Sequence, residues 1–250
     1  MLIEGGLWVF GGSLSVCLSM TTTATDRCLI RMQSYCHPSS HTFPSSTMPE
    51  FKLYYFDIDG GAGEPIRQAF RLAKIPFEDI RVKFADWPAL KSTGKCVFGQ
   101  MPAIEIDGKL FAQSMAILRY VGKLAGLYPS DALEALRVDE LLEAVLDIRG
   151  KMSVTYAMPD SEKVEARKKL ADSFIKPHLK NIELRINNQE GGFKGFAVGS
   201  KLSVADLVLA SDLAGYKSGR IDGIEASIAN DLTSLDTIGT NVRQALPPKV

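Results

Sequence analysis

From about residue 48 onward, apolar and polar residues alternate in regular patterns. Phe51–Phe56 (FKLYYF) is a β-prone run closed by the Asp/Gly-rich stretch DIDGGAG at 57–63, which reads as a strand and its loop. Between Glu64 and Lys74, the residues Ile66, Ala69, Phe70 and Ala73 recur at helical spacing, and Pro65 suits a first helical turn. Phe77–Phe84 reads as a second strand. A strand, a helix and a strand make one βαβ unit, whose crossover is expected to be right-handed. Ala103–Ile106 and Lys109–Phe111 are short strands joined by Asp107-Gly108, a strong two-residue hairpin signal. Ser114 then opens a helix through Ile117, Leu118 and Val121 to about Leu124, with Gly126 as its stop. Between the second and third strands lies a loop with room for a short helix.

After Leu127-Tyr128-Pro129 the strand pattern ends. Val138, Leu141, Leu142, Val145 and Ile148 form an amphipathic stripe over 132–149. A second stripe over 162–187 uses Leu170, Phe174, Ile175, Leu179, Ile182 and Ile186, and Pro177 within it predicts a kink or break. Residues 191–200 read as a loop. Ser203–Asp206 (SVAD) is a capping box flanked by Leu202 and Leu207 as a staple. The helix it opens is apolar nearly all round from Val204 to Leu213, so it should be buried. The expected organisation is a small α/β domain over 48–128, built βαβ then ββα, and an all-helical domain over 129–250.

Residues 1–47 are different. They are rich in Ser and Thr and carry only four charges, Glu4, Asp26, Arg27 and Arg31. The apolar run Leu7–Leu18 is too short to cross a bilayer, and Glu4 stands where a secretory signal needs a basic residue. The segment is read as a leader, disordered or mispredicted, with Met48 as the expected start. An organelle-targeting peptide is the alternative.

Composition narrows the chemistry. Lys+Arg and Asp+Glu are both 29, so charge offers no reason to expect nucleic acid or an anionic membrane as partner. The cysteines, Cys17, Cys28, Cys36 and Cys96, match neither a metal-site spacing nor a disulfide framework. With three of them in the leader, the body suits a reducing compartment. His178 is the only histidine after His41, so a histidine triad or a metal site is not expected.

Taken together, KLYYF at 52–56, ADWPALKS at 85–92, FGQMPAIEIDG at 98–108, QSMAILRYVGK at 113–123 and SVAD at 203–206 resemble the cytosolic glutathione transferases. The class most resembled is sigma, which includes glutathione-dependent prostaglandin D synthases and S-crystallins. The similarity is strong over 48–127, moderate to about 217, and fades beyond. It implies a thioredoxin-like N-terminal domain and a helical C-terminal domain. It also implies a cytoplasmic homodimer, glutathione as co-substrate, a small hydrophobic electrophile as second substrate, and no metal.

The same resemblance assigns roles. Tyr55 would be the catalytic tyrosine. A thiol near pKa ~8.5 is mostly protonated at neutrality, and a hydroxyl donating to the sulfur favours the thiolate. Strand alternation puts Leu53 and Tyr55 on one face and Tyr54 on the other, and simple strand packing is the alternative role for both tyrosines. Gln113 and Ser114, at a strand-to-helix corner, would hold the γ-glutamyl carboxylate, although capping alone would explain Ser114. Met101 and Pro102, with a cis bond in the family, would pair with the cysteinyl backbone, with Gln100 beside them. Trp87 and Lys91 would reach the glycyl end; the alternatives are a packing aromatic and a solvated charge. Asp147 would cross the dimer interface to the other subunit's glutathione, or be a surface carboxylate; Glu143 lies one turn before it.

One feature departs from the family. Many members carry an arginine soon after the catalytic tyrosine, but here an apparent one-residue insertion leaves no arginine before Arg67. A slightly acidic loop beside the sulfur is expected to stabilise a thiolate less well. Three functions stay open: conjugation, isomerisation of a prostaglandin-like endoperoxide, and glutathione binding without turnover as in an S-crystallin-like protein.

Overall fold

The computed structural model describes residues 48–248; the leader read over 1–47 lies outside them. Strands β1 (Phe51–Phe56), β2 (Glu78–Val82), β3 (Ala103–Ile106) and β4 (Lys109–Ala112) form one sheet in the order β2-β1-β3-β4. β1 runs parallel to β2 and antiparallel to β3, and β3 is antiparallel to β4. Helix α1 (Glu64–Leu72) is the crossover of the βαβ unit, and α3 (Ser114–Leu124) follows β4. Period-two alternation sends Phe51 and Leu53 into the main core with Ile66 and Phe70 of α1 and Leu118 of α3. Tyr54 goes to the opposite face, against Cys96, Ala103, and Trp87 and Leu90 of the short helix α2 (Trp87–Ser92). The hairpin turn has Asp107 at φ 47° and Gly108 at φ 78°, both left-handed, as a two-residue type I′ connection requires.

Everything after α3 is helical: α4 (Ala132–Thr155), α5 (Asp160–Leu170), α6 (Lys176–Asn187), α7 (Val204–Lys217) and α8 (Thr233–Ala245). α4 begins at Asp131, whose carboxylate caps the N–H groups of Leu133 and Glu134, and it runs six residues beyond the expected stripe. The break expected at Pro177 takes the form of a π turn over Ala171–Ile175 between α5 and α6. Proline lacks the N–H for a helical bond and crowds the carbonyl four residues back, and a wider turn relieves both. α8 carries Leu235, Ile238 and Val242 at helical spacing, all buried, in a stretch of small polar residues that hid the stripe from the sequence reading.

α7 is the centre of the molecule. It packs against α1, α4 and α8 and buries most of its length, as its apolar sequence demands. Its capping box is formed: Asp206 accepts from Ser203 N–H (2.8 Å), Ser203 hydroxyl (2.7 Å) and Ala197 N–H (2.6 Å). That carboxylate therefore starts the helix and also ties the 191–200 loop to it. Burial pushes the Asp206 carboxyl up to about 6, while the hydrogen bonds pull the other way.

This yields a test. Asp206→Asn replaces a charged acceptor of three bonds by a neutral amide and is expected to cost about 3 kcal/mol in urea unfolding. The folded state binds a proton below about 6, whereas the unfolded carboxyl does so only near ~3.9. This group alone therefore adds stability as pH falls through that window, by at most ~1.4 kcal/mol per unit. The gap between wild type and variant should widen from pH 7 to pH 5; a gap that narrows would contradict it.

Candidate active site

The strand register gathers the first set of candidate residues. Tyr54 stands opposite Ala103, and Ala103 opposite Ala112. One step further, Tyr55, Pro102 and Gln113 lie side by side at the same end of three adjacent strands. The Met101–Pro102 peptide bond is cis. Pro102 is buried and Met101 half-buried, and Met101 packs on the Tyr54 cluster together with Trp87.

Tyr55 is held tightly. Its ring is buried, and a turn over Gly61–Gly63 wraps its edge. Ala62 N–H donates to the Tyr55 hydroxyl oxygen at 2.9 Å. A phenol that accepts this bond keeps its own proton to donate elsewhere. Both flanking glycines are required by contact: a Cβ on Gly61 would sit 2.5 Å from the hydroxyl, and one on Gly63 2.4 Å from the ring. Burial raises the Tyr55 pKa above its ordinary value. The Ala62 bond and the charges of Arg149 and Arg67 oppose that rise, and Tyr156 adds to it. The net direction keeps the phenol protonated at neutral pH, which is the state a hydrogen-bond donor to sulfur needs.

Gln113 has φ 75° and ψ 108°, a strained conformation for a residue with a side chain. It occupies the cap position of α3, with no capping bond from its side chain. Ser114 is the first helical residue, so the reading of Ser114 as an ordinary cap is corrected. The turn into α3 is made by backbone strain at Gln113, and Ser114 is set at the open N-terminus, where N–H groups and the helix dipole favour an anion. Trp87 and Lys91 both belong to α2. The Lys91 ammonium lies 5.9 Å from the Trp87 ring and its chain passes close to Gly99, next to exposed Gln100. Trp87 also meets Phe56 edge-on at 5.8 Å. Asp147 is exposed on α4, and Glu143 is bound to Arg119 of α3 at 2.7 Å. Cys96 is buried, and burial raises its thiol pKa, so it is not an activated nucleophile.

Two arginines were given no role in the sequence reading. Arg67 lies under the Tyr55 ring, its guanidinium carbon 5.5 Å from the centroid. It holds the carbonyls of Phe56 (3.3 Å) and Ile58 (3.1 Å) and so fixes the start of the loop. Arg149 comes from α4, two residues past Asp147, and is bound to Asp212 of α7. No local pattern marks it, because its partners are remote in sequence. In the acidic loop, Asp57 and Asp59 pair with Arg81 at 3.4 and 3.6 Å.

The clamp on Tyr55 can be tested sterically. Gly63 has an ordinary φ of −83°, so Gly63→Ala strains no backbone but drives a methyl into the ring. Turnover is expected to fall about 100-fold. Glutathione affinity, measured by calorimetry, should change less than tenfold; unchanged turnover would show that the ring position does not matter.

Comparison with known proteins accords with this geometry. The glutathione S-transferase N-terminal domain family matches residues 51–123, and the C-terminal domain family matches 146–243. Glutathione S-transferase 1 of Ascaris suum is 36% identical over 172 residues, 68% of this chain and 82% of that protein. Glutathione S-transferase 4 of Caenorhabditis elegans is 34% identical over 181 residues, 70% of this chain and 84% of that protein. Among solved structures, prostaglandin synthase D of Nilaparvata lugens superposes with a TM-score of 0.69 at 30% identity, over 78% of this chain and 93% of that one. With both domain families present in order on a thioredoxin-like sheet and a helical domain, the chain belongs to the glutathione S-transferase family.

Proposed function

We propose that this transferase conjugates glutathione to small hydrophobic electrophiles, with Tyr55 as the group that ionises the thiol. One observation carries the reading. A buried, protonated phenol accepts a backbone N–H and so has its own proton free to donate. In the reaction the thiol proton leaves to solvent and the Tyr55 O–H hydrogen-bonds the thiolate sulfur. The sulfur lone pair then forms the S–C bond while the electrophile's leaving group departs, or its π bond accepts the electrons. Lowering the thiol pKa by about two units takes roughly 2.7 kcal/mol, within reach of one charge-assisted bond.

Gln113 and Ser114 at the N-terminus of α3 would take the γ-glutamyl carboxylate. The Met101 backbone beside Pro102 would pair with the cysteinyl unit, near Gln100, and Trp87 and Lys91 would receive the glycyl end. A sigma-like class, a cytoplasmic location and a homodimer belong to the same proposal. Among the described residues, no helix is long and apolar enough to cross a membrane. For the dimer, the support is a groove of about 560 Å³ on the sheet edge, with Val97, Phe98 and Phe111 exposed around it. Apolar side chains collected in this way mark an association surface, and Asp147 would then reach the neighbouring subunit's glutathione. The likeness to the prostaglandin synthase D of Nilaparvata lugens favours a second reading, isomerisation by the same thiolate.

Tyr55→Phe decides the central point. The pH midpoint for thiolate absorbance of bound glutathione is expected to rise by about two units, and turnover of an aromatic halide at pH 6.5 to fall about 100-fold. An unmoved midpoint would remove Tyr55 from the mechanism, and tight glutathione binding with no wild-type turnover would favour a binding protein. Phe98→Ser is expected to convert a dimer into monomer in sedimentation velocity; a wild type that is already monomeric would rule out Asp147 acting across an interface.

A further inference from the structure

β1 presents Tyr55 on one face and Tyr54 and Phe56 on the other. The outward pair carries α2. From Phe84 to Gln100 only Cys96 is buried, and among the described residues none of this segment joins the main core. It leans instead on a satellite cluster of Tyr54, Cys96 and Ala103, with Ile80, Trp87, Leu90 and Met101 around it. A segment with so little buried surface opens more readily than the core elements beside it. Its anchors therefore decide how well Trp87, Lys91 and Gln100 keep their places.

The segment is anchored at both ends. At the front, Phe84 stacks on Phe56 at 4.6 Å, and Trp87 meets the same ring edge-on. At the back, beyond the end of α2, the Lys95 ammonium donates to the Tyr54 hydroxyl oxygen at 3.1 Å and lies 5.1 Å from the centre of its ring. The Tyr54 hydroxyl in turn donates to Glu105 Oε2 of β3 at 2.9 Å. The phenol is used both as acceptor and as donor, which fixes its direction. Lys52 stands opposite Glu105 in the ladder, but its ammonium pairs with Glu50 (3.1 Å) and Glu78 (3.5 Å), and Glu105 accepts from Tyr54. A phenylalanine would fill the same apolar cluster, so what the hydroxyl adds is the link to Lys95.

We propose that Lys95, through Tyr54 and Glu105, is a positioning residue for glutathione: the chain Lys95–Tyr54–Glu105 pins the far end of α2 to the back of the sheet and holds the glycyl subsite in place relative to Tyr55. This rests on the reading above that Trp87 and Lys91 receive the glycyl end. The inner side of β1 then holds the proton donor, and its outer side holds the helix that grips the other end of the tripeptide. The link sets how tightly the peptide is held. It leaves the ionisation of the sulfur alone, because Tyr54 and the groups bonded to it lie on the face of the strand away from Tyr55.

Lys95→Met removes the ammonium from a half-buried position and keeps the Tyr54–Glu105 bond. The KM for glutathione is expected to rise about five- to tenfold, with kcat within about twofold and the thiolate midpoint unmoved. Hydrogen exchange of the amides in 84–100 should quicken, while that of α7 stays as it was. Lys95→Arg, which restores a cationic donor, should recover most of the affinity. Tyr54→Phe, which keeps the ring, should behave as Lys95→Met. The dipeptide γ-glutamylcysteine, which lacks the glycine, should bind the wild type more weakly than glutathione in calorimetry and lose less than about twofold on Lys95→Met. A fall of kcat with KM unchanged, a moved midpoint, or equal weakening of dipeptide and tripeptide overturns the inference. If the wild type binds dipeptide and tripeptide alike, the reading of Trp87 and Lys91 falls and the positioning role with it. If the wild type prefers the tripeptide but Lys95→Met leaves KM as it was, only the role of Lys95 falls.

Discussion

The hydrogen bond from Ala62 N–H to the Tyr55 hydroxyl is the contact on which the site depends. It joins the end of β1 to the turn before α1 and spends the acceptor side of the phenol on the backbone. What is left is a donor with one direction to point. The contact also explains the glycines around it. The Gly61–Gly63 turn passes so close to the ring that no side chain fits on either glycine. Packing thus converts a flexible-looking loop into a rigid wall, and the rigid wall fixes a proton donor.

The electrostatics are shared between the two halves of the molecule. The sheet supplies the phenol, and α1 supplies Arg67, whose charge is matched on all sides and which mainly fixes the loop. The acids of that loop, Asp57 and Asp59, are drawn to Arg81. α4 supplies Arg149, held by a carboxylate of α7. A half-buried ion pair gains little net stability, because desolvation offsets much of its attraction. What it does structurally is tie α4 to α7.

The surface proposed for the rest of the tripeptide would be built from sheet register. Tyr55, Pro102 and Gln113 are far apart in sequence, yet antiparallel pairing puts them at one strand end. There the chain leaves regular structure twice, at the cis Met101–Pro102 bond and at the positive φ of Gln113. In the same proposal Trp87 and Lys91 would complete the rim from α2, a single short helix.

Much of this was legible in the residues themselves. The strands, the crossover helix, the Asp107-Gly108 turn and the capping box of α7 are local signals, set by side-chain period and turn chemistry within a few positions. The motifs around Tyr55, Met101-Pro102 and Gln113-Ser114 named the candidate site through their resemblance to the family, which short stretches of sequence suffice to carry. α8 went unread because its apolar stripe is thin, and the π turn because proline states only that a helix must adjust. Tertiary structure alone decided which residue caps α3, how glycine contacts immobilise the tyrosine, and where the loop acids turn. It alone brought Arg149 and Asp212, 63 residues apart, into one ion pair. Those facts depend on through-space distance between remote segments, and charge acts through space without leaving a period in the chain.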